Sequence, residues 1–311
     1  MRSAISQLSI HKLEVFCAVA ELKSVSLAAE HLNIAQPVVS THLKSLADKL
    51  GVTLTERNGR RIELTEQGQR VHKWALDVVV RTRELEREIA DTQQGVAGTV
   101  SVGASMTPGS YVLPGIVAAI RRRYPAGDIS VRVMTSLALT DAVRQGECDF
   151  AFTILDPRQA FPDLEIEHVR DEPLLLVAAE HFDLQAAGAT LGELPYVTAQ
   201  HGTPRRDIEE HLLMEHGVTR SHIAMEYGHP EGIKRAVRSG IGVAFLFHAS
   251  IRDELAAGTL RLIPTPGMAL RVPVYRVRRK NKNLNRFQRS MMEALTLALR
   301  EDDGQIQWSM R

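Results

Sequence analysis

Residues 26–68 read SLAAEHLNIAQPVVSTHLKSLADKLGVTLTERNGRRIELTEQG. Leu27, Ala28 and Leu32 make one apolar face of a short helix, with Ser26 as its cap and Ala29 and Glu30 in its first turn. Asn33 suits a tight turn because its short amide tolerates a left-handed backbone. Pro37 lies just inside a second helix, where its missing N–H costs little. Val39, Leu43, Leu46 and Leu50 then recur at intervals of four, three and four, which is a buried helical stripe. Gly51 stops that helix. With the stripe turned inward, Gln36, Pro37, Ser40, Thr41 and Lys44 face outward as short polar groups plus one cation.

The run from Thr55 to Leu64 follows, with Asn58-Gly59 as a hairpin signal between short extended segments and Arg57, Arg60 and Arg61 beside it. Alone, this cluster reads as a solvated basic turn. Next to two short helices joined by a turn it reads as a wing that grips phosphate. The whole stretch has the layout of a winged helix-turn-helix, which sets one helix in the major groove of double-stranded DNA. The expected DNA-contacting residues are Ser26, Gln36, Pro37, Ser40, Thr41, Lys44, Arg57, Arg60 and Arg61.

The chain has 311 residues, 44% of them hydrophobic and 24% charged, which fits a globular protein with more than one core. Its net charge of +1 gives no global basic signature. Residues 23–73 carry eight Lys/Arg against five Asp/Glu, so the local surplus is modest and DNA binding is expected to need a dimer. Cys17 and Cys148 are the only cysteines and have no metal-ligand spacing. They read as buried free thiols in a reducing cytoplasm. No apolar run approaches bilayer length and the N-terminus lacks an apolar signal core, so a cytoplasmic location is expected, with no membrane partner.

Residues 10–22 (IHKLEVFCAVAEL) form a helix that packs under the two-helix unit. Residues 65–94 read as one long helix, capped by Thr65, with Glu66 in the first turn. Val71, Trp74, Val78, Leu85 and Ile89 form a coiled-coil-like stripe broken by Thr82, read as a dimer seam because no nearby segment offers a matching stripe. At 1.5 Å per residue the helix spans roughly 40 Å. Gly95 and Gly98 bracket a hinge at 95–98.

Beyond it, strands and helices alternate. Strands are expected at 99–103, 129–135, 150–154, 174–178, 196–198, 223–226, 242–247, 260–263 and 272–278. Helices are expected at 111–124, 137–145, 205–216, 232–239, 249–256 and 284–300. This βαβα order implies mostly parallel sheets with helices on both faces. The division is 1–64 for the winged head, 65–94 for the linker helix, 99–170 plus 268–301 for one α/β unit, 171–267 for an inserted second unit, and 302–311 for a polar tail.

Read together, Ala28-Ala29-Glu30, Gln36-Pro37, Val39-Ser40, Leu43, Leu46, Leu50-Gly51-Val52, Glu56-Arg57, Arg60-Arg61, Leu64-Thr65 and Gly68 resemble the N-terminal domain of LysR-type transcriptional regulators, and the later segments also fit. The resemblance implies an α/β effector domain of two Rossmann-like subdomains, periplasmic-binding-protein-like of type 2. It also implies a DNA-binding regulator controlled by a small molecule, dimers that mostly pair into tetramers, and RNA polymerase as a further partner. Three positions depart from the usual pattern. Ala35 stands where a capping Ser or Thr is usual, Thr41 where an Arg is common, and Thr55 where an apolar residue is usual.

In open α/β sheets, ligands bind beyond the carboxyl ends of strands, at helix N-termini. That rule selects Ser105, Met106 and Thr107 after the first strand and Thr135 and Ser136 after the next. In the second unit it selects Thr198, Gln200 and His201, and His229 at the Tyr-Gly-His-Pro turn. Hydroxyls and free N–H groups suit an anion, so a small anionic metabolite is expected. The family resemblance points to the same cleft and matches Ser105, Thr107, Thr135 and Gln200 best. His201, His211, His216, His222 and His229 lack helical metal-site spacing, so neither a metal nor a cofactor is expected. The alternatives are an enzyme or a solute-binding protein without a DNA role. The first lacks GxSxG, a P-loop and GxGxxG after the first strand, and the second does not explain the winged head.

Overall fold

A computed structural model describes residues 8–59, 61–94, 98–155, 159–187 and 190–301. Arg60, most of the expected hinge and the tail from 302 lie outside the described residues. The chain divides after Gln94 into two units.

The first unit contains α1 (Ile10–Leu22), α2 (Val25–Leu32), α3 (Gln36–Leu50), β1 (Thr55–Asn58), β2 (Arg61–Leu64) and α4 (Glu66–Gln94). The cap of α2 is Ser24, whose side chain accepts from the Leu27 N–H, rather than the expected Ser26. With the helix so phased, Ala28 and Ala29 are buried and Leu27 is 50% exposed. Asn33 adopts the left-handed turn at φ 54°. Ala35 begins α3 with no side-chain cap, and Gly51 ends it at φ 67°.

α1 is buried between two apolar clusters. One joins Leu13, Phe16 and Cys17 to Leu46, Leu54, Ala75 and Val79. The other joins Val15, Ala18 and Val19 to Ala28, Ala29 and Val39. Gly68 lets α4 start here, because a Cβ on it would lie 1.9 Å from the Leu54 carbonyl oxygen. Thr65 caps α4 by accepting from the Gly68 N–H at 2.9 Å.

The expected seam on α4 splits. Val71 and Val78 pack partly buried into the cluster around α1, so they belong to the head's own core. Trp74, Leu85 and Ile89 stay 38%, 56% and 50% exposed. The reason is that α1 supplies the matching apolar surface that the spacing alone did not reveal.

The second unit begins with β3 (Gly98–Ser105), a π-helical turn at Pro108–Val112, α5 (Leu113–Arg123), β4 (Gly127–Met134), α6 (Ser136–Arg144) and β5 (Phe150–Ile154). It continues with β6 (Leu164–Ala179), α7 (Leu184–Ala187), β7 (Tyr196–Ala199), α8 (Pro204–Glu215), β8 (Ile223–Tyr227) and α9 (Pro230–Arg238). Last come β9 (Ala244–Phe247), α10 (His248–Ala256), β10 (Leu260–Leu262), β11 (Arg271–Arg279) and α11 (Arg286–Glu301).

The main sheet has the order β10-β6-β11-β5-β3-β4, with β9 also on β6, and β7 pairs separately with β8. β3 runs parallel to β4 and β5, and β7 parallel to β8, as expected. β6 and β11 instead run antiparallel to each other and to their other neighbours, so the sheet is mixed rather than mostly parallel. These two strands carry the chain out to the inserted part and back, and an outward and a returning strand side by side must be antiparallel. β6 is also ten residues longer at its start than its apolar run, because its first half, LEIEHVRDEP, alternates instead of being uniformly apolar. At Pro173, which pairs with Arg271, β6 leaves β11, and from Leu174 it pairs with β9.

Two cores result, each with helices on both faces of its strands. Around β3 and β5, one layer holds Val102, Phe150, Met291 and Leu295, and the other Leu139, Val143 and Val277. Around β9 and the second half of β6, one layer holds Leu176, Tyr196, Leu213 and Phe245, and the other Val177, Val237, Leu246 and Ile251. This is a two-subdomain α/β domain on a curled mixed sheet.

Candidate functional site

On the head, Ser26, Gln36, Pro37, Ser40, Thr41 and Lys44 are all exposed, while Val39 and Leu46 on the opposite face of α3 are fully buried. The Ser26 hydroxyl donates to Gln36 Oε1 at 3.4 Å, which links α2 to the start of α3. The Thr41 hydroxyl donates to the Pro37 carbonyl at 2.8 Å, so its donor is already used inside the helix. In the wing, Asn58 pairs with Arg61. Asn58 therefore sits in the ladder rather than in the turn that the sequence signal gave it, with its amide donating to Glu63 Oε1 at 3.1 Å. Arg57 and Arg61 are exposed, and Arg60 is outside the described residues.

In the second unit the parallel strands β3 and β4 end together, with Ser105 opposite Met134. Their ends face Gln200, Tyr227 and the starts of α8 and α9 across a cavity of about 100 Å³. Ser105, Met106, Thr107, Thr135, Ser136, Gln200 and His229 line it. Thr198 and His201 do not. β7 runs on to Ala199, so Thr198 is a buried strand residue, and its hydroxyl accepts from Arg206 at 2.8 Å. His201 is exposed in the turn before α8. Ile154, Thr203, Arg205, Tyr227 and Phe247 line the cavity without having been expected. The rule of helix N-termini points to Thr203 and Arg205 in Gly202-Thr203-Pro204-Arg205. Nothing local marks Ile154 or Phe247, which arrive by sheet register.

Helices α6, α8 and α9 all begin at this cavity, so their positive ends converge on it. Thr135, Thr203 and His229 cap them, accepting from Ala138, Arg206 and Glu231 respectively. Among the described residues the lining contains no Asp or Glu, and Arg205 is its one Lys or Arg. Arg205 donates to Glu209 at 3.1 Å and to the Phe245 carbonyl at 2.8 Å, and lies 4.4 Å over the Phe247 ring. Glu209 is 2% exposed and also holds Arg220, so one buried carboxylate serves two guanidinium groups. Ser105 is 5% exposed, and its hydroxyl has no hydrogen-bond partner among the described residues. The cavity thus has a positive balance of charge and dipole, an uncommitted hydroxyl, and an apolar flank of Met106, Ile154, Ile233 and Phe247.

Both cysteines are buried. Burial, with a smaller contribution from Glu21, pushes the Cys17 thiol up to about 12, and burial also raises Cys148. Thiolate chemistry at neutral pH is therefore suppressed at both. Among the described residues no group of three or more His, Cys, Asp or Glu is placed to hold a metal ion, and no helix is long and apolar enough to cross a membrane.

A winged helix-turn-helix followed by a long helix and a two-subdomain α/β domain is the layout of a DNA-binding regulator with a separate effector-binding domain. The model for the bacterial regulatory helix-turn-helix of the lysR family matches residues 10–69, and that for the LysR substrate binding domain matches residues 93–300. The chain belongs to the LysR family of transcriptional regulators, and it is a DNA-binding regulator with an effector-binding domain, not an enzyme. It is 31% identical over 289 residues to the HTH-type transcriptional regulator YeiE of Escherichia coli strain K12, which covers 92% of this chain and 96% of the relative. Its fold is similar to that of ArgP from Mycobacterium tuberculosis, with a TM-score of 0.64 at 20% identity over 94% of this chain and 98% of that one. It is also similar to Vibrio fischeri DarR, solved in complex with DNA, with a TM-score of 0.52 at 22% identity over 94% and 99%.

Proposed function

We propose that this regulator reads promoter DNA through Gln36, Pro37, Ser40, Thr41 and Lys44 on α3 and Ser26 on α2, with Arg57, Arg60 and Arg61 on backbone phosphate. Two heads engage successive major grooves through a dimer whose seam is the exposed side of α4, Trp74, Leu85 and Ile89. Pairs of dimers form the tetramer, RNA polymerase is a further contact, and the protein works in the cytoplasm. The head is residues 1–64, the linker helix 65–94 and the hinge 95–98. Subdomain I is 99–170 with 268–301 and subdomain II is 171–267, a division supported by the passage of β6 and β11 at Pro173 and Arg271.

The effector is a small anion held between the subdomains by Ser105, Met106, Thr107, Thr135, Ser136, Gln200 and His229, with Arg205 as its counter-charge. One observation carries this reading: a cavity that receives three helix N-termini and an arginine is lined by no carboxylate among the described residues. Ligand and DNA then alter each other's affinity reciprocally through subdomain closure.

The test is capture of fragmented genomic DNA by the purified chain, repeated with Gln36→Ala plus Ser40→Ala. Enrichment of a few promoter fragments, lost in the double variant, is the expected result. The genes beside those promoters supply the metabolite panel for calorimetry. Equal enrichment by the double variant would remove α3 as the reading helix, and binding of neutral or cationic solutes alone would remove the anion.

A further inference from the structure

The cleft has a second polar cluster beside it that the proposed ligand does not use. Tyr111 lies in the π-helical turn that follows the Ser105–Thr107 wall, four residues beyond Thr107. Its hydroxyl donates to Glu231 Oε2 at 2.8 Å across to α9, whose first turn forms the opposite wall with His229, Pro230 and Ile233. Glu231 also receives Lys234 Nζ at 3.0 Å and Arg235 Nε at 3.2 Å. Lys234, 6% exposed, holds Glu254 at 2.8 Å and donates to the Ser250 carbonyl at 3.1 Å. Its ammonium sits 5.0 Å from the centre of the Tyr111 ring.

We propose that Tyr111 and the Glu231–Lys234 pair form a clasp that holds the two effector subdomains closed over the cleft. The inference rests on the reading of that cleft as the effector site.

The distribution of partners gives the argument. Every group in the cluster except Tyr111 belongs to the stretch 231–254, so the socket stays assembled whether the cleft is open or closed. Burial disfavours the charged form of Glu231, but hydrogen bonds from Lys234, Tyr111 and Arg235 outweigh it and bring the carboxyl down to about 2. The socket therefore presents an ionised acceptor and a buried cation, and Tyr111 answers both, the hydroxyl to the first and the ring face to the second. Opening the cleft breaks these two contacts together with the packing of Ala249 on α10 against the apolar core around Val112 and Leu113. The two Tyr111 contacts lie on the turn and on α9, off the crossing strands β6 and β11, so they are free to part while the strands stay paired. A ligand that spans the walls works with the clasp, and Tyr111 and Glu231 are positioning residues for it.

Loss of one hydrogen bond to a charged acceptor shifts a two-state equilibrium by about tenfold or more. The test is amide hydrogen exchange on the full chain without ligand, comparing wild type, Tyr111→Phe, Glu231→Gln and the double variant. Tyr111→Phe keeps the ring on Lys234 and removes only the hydroxyl. We expect peptides spanning 105–113 and 228–236 to exchange about tenfold faster in it, with α3 peptides unchanged. The double variant should be no faster than the faster single variant, because both break the same contact. Unchanged exchange in Tyr111→Phe, or fully additive effects, would overturn the clasp. A second arm titrates sodium acetate and sodium benzoate, where any carboxylate bound by wild type should bind more weakly to Tyr111→Phe in proportion to the closed population lost, by up to about tenfold. The exchange arm needs no ligand. A wild type that binds no carboxylate, yet shows the exchange change, therefore breaks the effector reading and leaves the clasp standing.

Discussion

The head presents its candidate residues outward, and the effector domain turns its candidate residues inward. The head exposes Gln36, Ser40 and Lys44 on one continuous helix and buries only the other face of it. The effector domain assembles its cleft from Ser105, Thr135, Gln200, Arg205, Tyr227 and Phe247, which stand far apart in the chain and meet at strand ends and helix starts. An outward-facing site is a question of helical phase, which one short stretch settles. An inward-facing site is a question of sheet order, which no single stretch contains.

The sharpest break of this comparison is Leu46→Ala. Leu46 is fully buried beneath the exposed face of α3, and its truncation costs about 2–5 kcal/mol. In calorimetry the head transition should fall by many degrees while the effector transition holds. A common shift of both would mean that the two regions melt as one.

Ser105→Ala acts on the other side. Its buried hydroxyl has no partner among the described residues, and such a group costs about 1–3 kcal/mol. The variant should melt higher in the effector transition and bind anions more weakly. A gain in stability with unchanged binding would show that the hydroxyl is not held for a ligand.

Ala35→Ser tests the departure at the start of α3, where the cap position has extended geometry but no side-chain bond. A serine there should add about 1 kcal/mol to the head, read as a higher midpoint in urea. No change would mean that the α3 N–H groups are already satisfied in another way.

The smallest effect is a pH slope confined to the head. Burial lowers the pKa of His72, whose Nε2 has no partner and whose ring meets Phe16 edge-on at 6.0 Å. The unfolded chain then binds the proton more readily, so stability is complete above the ordinary histidine range and falls as pH drops through 6.5 and below. His72→Leu should flatten the head's melting curve between about pH 7 and about pH 5. Parallel curves for variant and wild type would assign the slope to other groups.

Much of the architecture was legible because local rules agreed with one another. Asn33, Pro37 and Gly51 marked the ends of α2 and α3 without tertiary help, and Phe150–Ile154 was found to the residue. Where a rule has two local solutions it errs by a residue or two, as with Ser26 for Ser24 and with Asn58, which joins the ladder instead of the turn. The cavity is legible as far as helix starts mark it, which is why Ser105, Thr107, Thr135, Gln200 and His229 line it. Thr198 stays inside β7, where its buried hydroxyl accepts from Arg206 instead.

The family, the helix-turn-helix and the alternation of strands and helices can all be read along the chain. Each follows from spacing within a few turns of chain, where apolar period and capping chemistry act. That Val71 and Val78 pack against the cluster around α1 emerges only from the folded chain. The tertiary structure also set β6 and β11 antiparallel, and brought Tyr111 onto Glu231 across 120 positions. Those outcomes depend on which distant surface is available to be buried, and burial is non-directional, so no local pattern specifies its partner.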